Sequence, residues 1–210
     1  QPEQPQEKAF NNIEQAISEL IQRAGFDSEL KETWQSKFEP VGSFDSFSSC
    51  DFVIESVIED LATKRKVFDQ IEKFIGPEIP VGSNTSAIPI TQLQQGRKKP
   101  DRFVGMHWAE PAHATRFLEL IRGEHTSEAT FIKASNLAKR LGKEASFVRK
   151  DVPGFIVNRI GYAMYREAAH MVDQGVADVE TIDRSCRNAF GLWAAMCGPF
   201  RWMDITGGPE

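Results

Sequence analysis

The chain has 210 residues, long enough to bury a substantial core, and it carries 25 lysines and arginines against 30 aspartates and glutamates, for a net charge of -5. The acidic balance, with no basic run longer than RKK at 97–99, argues against a nucleic-acid partner, and no apolar run approaches the roughly 18 residues of a membrane span. Three cysteines without CxxC spacing predict neither a disulfide framework nor a metal site, and they fit a reducing compartment such as the cytoplasm or an organelle matrix.

The first two predicted elements are helices. Apolar residues at helical spacing predict an amphipathic helix over 9–25, with Gly25 as its stop. The segment at 27–38 repeats the pattern more weakly, behind an Asp and Ser cap signature.

From residue 51 the apolar pattern becomes that of strands alternating with helices. DFVIESVI at 51–58 predicts a buried strand, and LATKRKVFDQIEKFIG at 61–76 predicts a helix. Further strand candidates are PVGSN, RFVGMH and RFLELI, with IPITQLQQ as a short helix between the first two. A capped helix at 127–142 precedes a last strand in ASFVRKD. This alternation predicts an α/β domain.

The pattern changes again at DVPGF, where Pro153 and Gly154 form a candidate hinge. Two segments beyond it, FIVNRIGYAMYREAAHMVDQG and DVETIDRSCRNAF, carry helical periodicity. We therefore predict a first domain over residues 1–150 and a helical second domain over residues 151–210.

Residues suited to chemistry concentrate between Ser83 and Glu124. The polar SNTS follows a short strand, and open α/β sheets bind ligands at the carboxyl ends of their strands. His107 ends RFVGMH, and Glu119 lies in RFLELI beyond a Pro-containing loop that can fold one strand back beside the other. A carboxylate bonded to one imidazole nitrogen fixes the tautomer and leaves the other nitrogen free as a general base.

Structural interpretations compete with catalysis at these two positions. A histidine at a strand end is commonly a satisfied polar residue. A glutamate within an apolar strand could instead be paired with an arginine such as Arg116 or Arg122.

Six segments then carry a resemblance, and they are DFVIESVIEDLATK, SNTSAI, DRFVGMHWAEP, FLELI, KDVPGFIVNRI and GPFRWMD. In their order and approximate spacing the chain resembles the L-3-hydroxyacyl-CoA dehydrogenase family over residues 50–205. The resemblance implies an incomplete Rossmann-like doubly wound sheet followed by an all-α C-terminal domain. It also implies NAD as cofactor, an acyl-CoA substrate, a place in fatty acid β-oxidation, a cytoplasmic location and a homodimer.

Catalytic roles follow from the resemblance position by position. His107 matches the general base that takes the proton of the substrate 3-hydroxyl, and Glu119 matches the carboxylate that orients this base. Ser86 matches a hydroxyl that contacts the reacting oxygen. Asn158 matches an amide near the substrate carbonyl, although it could simply cap or bridge helices.

Cofactor contacts are carried over in the same way. Glu59 and Lys64 match positions that contact the dinucleotide, and Asn84 lies beside it. The first two could instead form a solvated helix face. We assign Ser83 and Thr85 as turn residues.

The chain also departs from the family pattern. It has no GxGxxG turn and no second strand ending in an acidic residue, so we expect an uncovered sheet edge and a poorly stable chain. Either natural residues lie outside the chain at both ends, or NAD binding is impaired, or another chain supplies the strands. HWAEP at 107–111 places Glu110 where the family has Asn. If buried, Glu110 could raise the pKa of His107 or select a cationic or non-thioester substrate.

Three other functions remain open. A dehydrogenase of a free hydroxy acid or betaine is the neighbouring possibility within the family. A hydrolase triad of Ser86, His107 and Glu119 lacks the GxSxG elbow. A catalytically silent binding or assembly protein is the possibility outside enzymes.

Overall fold

The computed structural model describes residues 6–208, which divide after Ile156 into two compact units. In the first unit, helices and strands alternate as the sequence predicts. Its elements are α1 (Gln6–Ala24), α2 (Leu30–Thr33), β1 (Val53–Glu55), α3 (Leu61–Phe74), β2 (Val81–Ser83), α4 (Ile90–Gln94), β3 (Phe103–Trp108), β4 (Phe117–Ile121), α5 (Glu128–Arg140) and β5 (Glu144–Val148).

The N-terminal helix is confirmed, and the second predicted helix is found in two pieces. The segment predicted at 27–38 contains α2 and a 3-10 turn over Trp34–Lys37. Its first residues form a turn in which Asp27 accepts a hydrogen bond from the Glu29 N–H. Trp34 is buried, and the rings of Trp34 and Phe38 lie 5.4 and 5.5 Å from the ring of Phe10, so two aromatic contacts join this segment to α1.

The sheet is five-stranded in the order β1-β2-β3-β4-β5. The first three strands are parallel, β3 and β4 are antiparallel, and β5 is parallel to β4. β1 is an edge strand, and its Ile54 is 39% exposed. An edge with an exposed apolar side chain agrees with the sheet edge expected from the sequence.

Helices cover both faces of the sheet, each with its own core. Alternate residues of a strand face opposite sides, so β3 sends Phe103 to one core and Val104 to the other. On the first face Phe103 meets Phe68 of α3 at 5.1 Å. On the second face Val104 lies in a cluster with Ala134 and Ala138 of α5. His107 shares the parity of Phe103, which puts it on the α3 face.

The second unit is helical. It contains α6 (Val157–Asp173), α7 (Val179–Ser185), a π-helical turn (Cys186–Phe190), α8 (Gly191–Met196) and α9 (Gly198–Thr206). Asp178 caps α7 by accepting from the Thr181 N–H, and the rings of Trp193 and Trp202 stack at 5.3 Å. The predicted fold class, a Rossmann-like sheet followed by a helical C-terminal part, is confirmed. Within residues 6–208, no helix is both long and apolar enough to cross a membrane.

Candidate active site

The β3–β4 hairpin sets His107 directly opposite Glu119. The Nδ1 atom of His107 lies 2.8 Å from Oε2 of Glu119, and the side chains are 6% and 1% exposed. At this distance a neutral imidazole donates its Nδ1–H to the carboxylate, which leaves the lone pair on Nε2. The structure thus brings together the two residues that the sequence pairs as base and orienting group.

Neither of the arginines considered as partners of Glu119 is used in that way. Arg116 lies 3.8 Å from the Glu144 carboxylate, and Arg122 lies 2.5 Å from the carboxylate of Glu128. The interpretation of Glu119 as a structural partner of these arginines is therefore wrong.

A strained turn supplies a second hydrogen bond to Glu119. Gly154 has φ +74° and Phe155 has φ +50°. This is a left-handed backbone conformation that residues other than glycine rarely adopt. The turn directs the Ile156 N–H to Oε1 of Glu119 at 3.0 Å. Strain of this kind persists only where surrounding contacts hold it, and here Phe155 is 1% exposed.

Two aromatic rings flank the imidazole. Phe117 lies 5.9 Å from the His107 ring in an edge-to-face arrangement, and Phe155 lies 5.7 Å away. These rings exclude water from one side of the pair, which strengthens the His107–Glu119 interaction.

The SNTS segment ends β2 and continues into a turn beside the end of β3. Asn84 Nδ2 donates to Ser56 Oγ at 2.9 Å, and Asn84 Oδ1 accepts from the Trp108 N–H at 3.0 Å. Asn84 therefore joins the turn to the residue that follows His107. Ser86 is exposed on the same turn, so both predicted polar residues lie at the carboxyl edge of the parallel strands.

The Glu59 side chain holds this turn by hydrogen bonds. Its Oε1 accepts from Thr85 Oγ1 at 2.6 Å and from the N–H groups of Ser86, Ala87 and Ile88 at 2.8, 2.9 and 3.3 Å. Burial alone would raise the pKa of Glu59, but these hydrogen bonds and the nearby Lys64 charge outweigh it and hold the pKa below 4.5.

Lys64 is completely buried, so its interpretation as part of a solvated helix face is wrong. Its Nζ lies 2.8 Å from Oε1 of Glu55 and 3.4 Å from Oε2 of Glu59. Ser83 and Thr85, assigned to a turn, are also buried. Ser83 ends β2 and donates to Glu55 at 2.6 Å, and Thr85 donates to Glu59. The sequence gives one sign of this network of charges: Glu55 in a strand and Lys64 in a helix occupy positions that face the core.

Sequence reasoning missed Glu55, which is 3% exposed at the end of β1. A glutamate at the end of a Val and Ile strand, with a lysine nine residues later, is the signal that could have found it.

Glu110 is exposed. The effect on His107 that the sequence predicts for a buried Glu110 therefore does not apply. It lines a cleft of about 760 Å³ together with Ser86, Asn84 and residues of α1. One wall of the cleft is joined to α1 by His113, whose Nε2 lies 3.0 Å from Oε2 of Glu19.

Asn158 belongs to the second unit. It lies in the first turn of α6 and is partly exposed. Its proposed role beside a substrate carbonyl stays a prediction.

The sequence matches two family models in succession. Residues 2–152 match the 3-hydroxyacyl-CoA dehydrogenase NAD binding domain, and residues 154–208 match the C-terminal domain of the same family. The chain belongs to the 3-hydroxyacyl-CoA dehydrogenase family. NAD is the cofactor of the domain that the first model describes.

Curated relatives carry two kinds of substrate in their names. A 3-hydroxybutyryl-CoA dehydrogenase of Bradyrhizobium diazoefficiens is 37% identical over 91% of this chain and 64% of its own length. A 5-formyl-3-hydroxy-2-methylpyridine 4-carboxylate 5-dehydrogenase of Mesorhizobium japonicum is 40% identical over 78% of this chain and 53% of its own length. The chain therefore spans between half and two thirds of these two relatives.

Solved structures agree with this assignment. The (S)-3-hydroxybutyryl-CoA dehydrogenase of Ralstonia eutropha is similar with a TM-score of 0.82 and 33% identity, over 88% of this chain and 65% of that chain. The pyridine carboxylate dehydrogenase structure is similar with a TM-score of 0.75 over 78% of this chain and 53% of that chain.

Proposed function

We propose that this chain carries the catalytic pair of an NAD-dependent dehydrogenase that oxidises L-3-hydroxyacyl-CoA to 3-ketoacyl-CoA. The observation that supports it best is the buried His107–Glu119 pair, 2.8 Å apart, beside a polar turn at the carboxyl edge of parallel strands. Open α/β sheets bind their ligands at that edge. Membership of the family favours this reaction over the hydrolase and over the silent binding protein.

In the proposed reaction His107 is the general base. Its Nε2 takes the proton of the 3-hydroxyl group as the carbon–hydrogen bond breaks, and the Glu119 carboxylate stabilises the imidazolium that forms. NAD, when bound, accepts the hydride. Ser86 holds the reacting oxygen, and Asn158 holds the thioester carbonyl.

The residues of this chain fit only part of the dinucleotide. Asn84 and Ser86, at the strand edge near His107, fit the nicotinamide end. No two glycines of the chain are separated by a single residue, so nothing in it forms the GxGxxG turn that would meet the pyrophosphate. Glu59 has one oxygen occupied by the turn, and we keep it as a proposed neighbour of the cofactor.

The test measures NADH oxidation with acetoacetyl-CoA. It compares the chain with a chimera preceded by the N-terminal segment of the 3-hydroxybutyryl-CoA dehydrogenase relative. This segment is chosen to supply both the glycine turn and the second strand of the family pattern. We expect the chimera to be active and its His107→Ala variant to be inactive. A chimera that binds NADH but does not reduce acetoacetyl-CoA would remove the CoA substrate. A chimera that binds neither NADH nor acetoacetyl-CoA would favour the catalytically silent protein.

A free hydroxy acid or a related small alcohol is the second candidate substrate. It is supported by the 40% identity to the pyridine carboxylate dehydrogenase and by Glu110, which lies at the cleft where the family has Asn. Turnover of free 3-hydroxybutyrate, a hydroxylated betaine or the formylpyridine carboxylate in that relative's name, with no turnover of the CoA thioester, would select this candidate.

The remaining proposals concern organisation. We propose residues 1–150 as the NAD-binding domain and residues 151–210 as a helical domain, in a cytoplasmic enzyme. A homodimer is supported by the exposed apolar side chains of the second unit, where Met196 is 78% and Phe200 is 80% exposed. Light scattering should give twice the chain mass, and a monomer at micromolar concentration would contradict the proposal.

A further inference from the structure

Lys64 has an environment that is complete without a ligand. Its side chain is 0% exposed. The ammonium group has three protons to donate, and three oxygens surround it: Glu55 Oε1 at 2.8 Å, the Val57 carbonyl at 3.2 Å and Glu59 Oε2 at 3.4 Å. A phosphate or amide of a cofactor would have to displace one of these partners.

One of the two carboxylates ties the lysine to the sheet. Glu55 Oε2 accepts from Ser83 Oγ at 2.6 Å, and its Oε1 also accepts from the Val57 N–H at 2.6 Å. Glu55 and Ser83 are register partners at the ends of β1 and β2. The backbone carbonyl of Glu55 accepts from the Asn84 N–H at 2.8 Å, so the residue that carries this carboxylate is bonded to the start of the turn.

The other carboxylate ties the lysine to the turn itself. Glu59 accepts from Thr85 Oγ1 and from the N–H groups of residues 86–88. Asn84, at the start of the turn, accepts from the Trp108 N–H. Contacts therefore run without a gap from Lys64 through Glu59 and the turn to the residue beside His107.

The charges explain why a lysine is needed here. Glu55 is fully buried and Glu59 partly so, and two carboxylates so close to one another repel unless a cation lies between them. An uncompensated buried charge is strongly destabilising, whereas replacing a whole buried pair by neutral groups is often tolerated.

We propose that Lys64 is a positioning residue, which neutralises Glu55 and Glu59 and so holds the turn that carries Asn84 and Ser86 in place. This differs from the direct contact with the dinucleotide that the family resemblance implies for Lys64. The importance of the turn for catalysis rests on the proposed function. The effect of Lys64 on the turn does not.

The first arm of the test needs no activity. Hydrogen–deuterium exchange of the chain itself is followed in a peptide that contains the amides of residues 86–88, with a β4 peptide as internal reference. Lys64→Met should speed exchange at 86–88 by about tenfold or more relative to β4, the factor expected for 1.4 kcal/mol. Lys66→Met, at an exposed position on the same helix, is the control and should change nothing. Unchanged exchange in Lys64→Met would overturn the proposal.

A double variant separates positioning from simple loss of stability. In Lys64→Met with Glu55→Gln one buried charge of each sign is removed, and the glutamine still offers an acceptor to Ser83 or Val57. The exchange rate at 86–88 should return to within about threefold of the parent rate. This difference is smaller than the tenfold change that corresponds to 1.4 kcal/mol. If Lys64→Met alone does not fold, the double variant decides: slow exchange at 86–88 supports the proposal, and fast exchange with a native β4 overturns it.

The second arm uses the active chimera. Lys64→Met should lower kcat while the KM for NADH changes little, and the double variant should recover part of kcat. A raised KM at constant kcat that the double variant does not recover would make Lys64 a direct cofactor contact and overturn the proposal. If the dehydrogenase assignment itself fails, no variant will turn over, yet the exchange arm still gives its answer.

Discussion

The backbone N–H of Ile156 donates to Oε1 of Glu119 at 3.0 Å, while Oε2 of the same carboxylate faces His107 at 2.8 Å. Both oxygens are thus engaged by groups on different segments, the turn after β5 and the strand β3. A carboxylate held from two sides cannot rotate away from the imidazole, so its orientation is fixed before any substrate arrives.

Glu119→Gln tests this arrangement with almost no change in volume. A carboxamide has one acceptor and one donor end, so it cannot accept from both the Ile156 N–H and the His107 Nδ1–H. We expect the thermal midpoint to fall modestly and NADH oxidation by the chimera to fall by about 100- to 10,000-fold. If the activity stays within a factor of about three of the parent, well short of a 100-fold fall, Glu119 does not orient the base.

His107→Ala tests the base itself. We expect NADH oxidation to fall by about 100- to 10,000-fold, with NADH binding retained, because the lost group moves a proton and does not hold the cofactor. His125→Ala is the matched control, since His125 is exposed outside the site and its substitution should leave kcat unchanged. Equal losses in the two variants would argue against a catalytic role for His107.

Gly105→Ala tests how tightly β3 packs two residues before His107. A Cβ at this position would lie 2.7 Å from Ile121 Cβ and 2.9 Å from Ile90 Cδ1, so the core must shift. We expect a loss of about 1–3 kcal/mol in the free energy of unfolding, measured by urea denaturation. Gly161→Ala meets nothing within 4 Å in the interior of α6 and should instead stabilise by about 0.5–1 kcal/mol. A neutral Gly105→Ala would contradict the packing described for this strand.

Acid should loosen the turn through Glu59. Its folded-state pKa lies below the ordinary 4.5, so the ionised carboxylate contributes stability above that value. This contribution is lost as the pH falls through the folded pKa. The thermal midpoint of the parent should therefore drop more steeply below pH 4.5 than that of Glu59→Gln, which cannot titrate. Glu39→Gln, at an exposed position, is the control, and parallel curves for all three proteins would sink this prediction.

Elements with a strong period were predictable from the sequence. The helix predicted at 61–76 is found at Leu61–Phe74, because its apolar residues Val67, Phe68, Ile71 and Phe74 recur at helical spacing. The strand predicted at 51–58 is found only at Val53–Glu55. Its later residues leave the ladder because the partner strand β2 ends at Ser83, and partner length is not written in the apolar pattern.

The contact between His107 and Glu119 was predictable because the loop between their strands is short and contains proline. The burial of Lys64 was not, since a lysine in the first turn of a helix ordinarily faces water. Its neutralising partner Glu55 ends a different element, and only the packing of β1 against α3 brings the two charges together. Sequence patterns report which face of an element is apolar, but they do not report a charge that is compensated across elements.

The antiparallel register of β3 and β4 has a consequence for how this site can change. Because His107 and Glu119 face each other across a single hairpin, a shift of one residue in that pairing would send one partner to the opposite side of the sheet. The connecting segment at 109–116 can accept new residues at its tip as long as the ladder stays in step. This loop can therefore change in sequence while the pairing of His107 with Glu119 is kept as one unit.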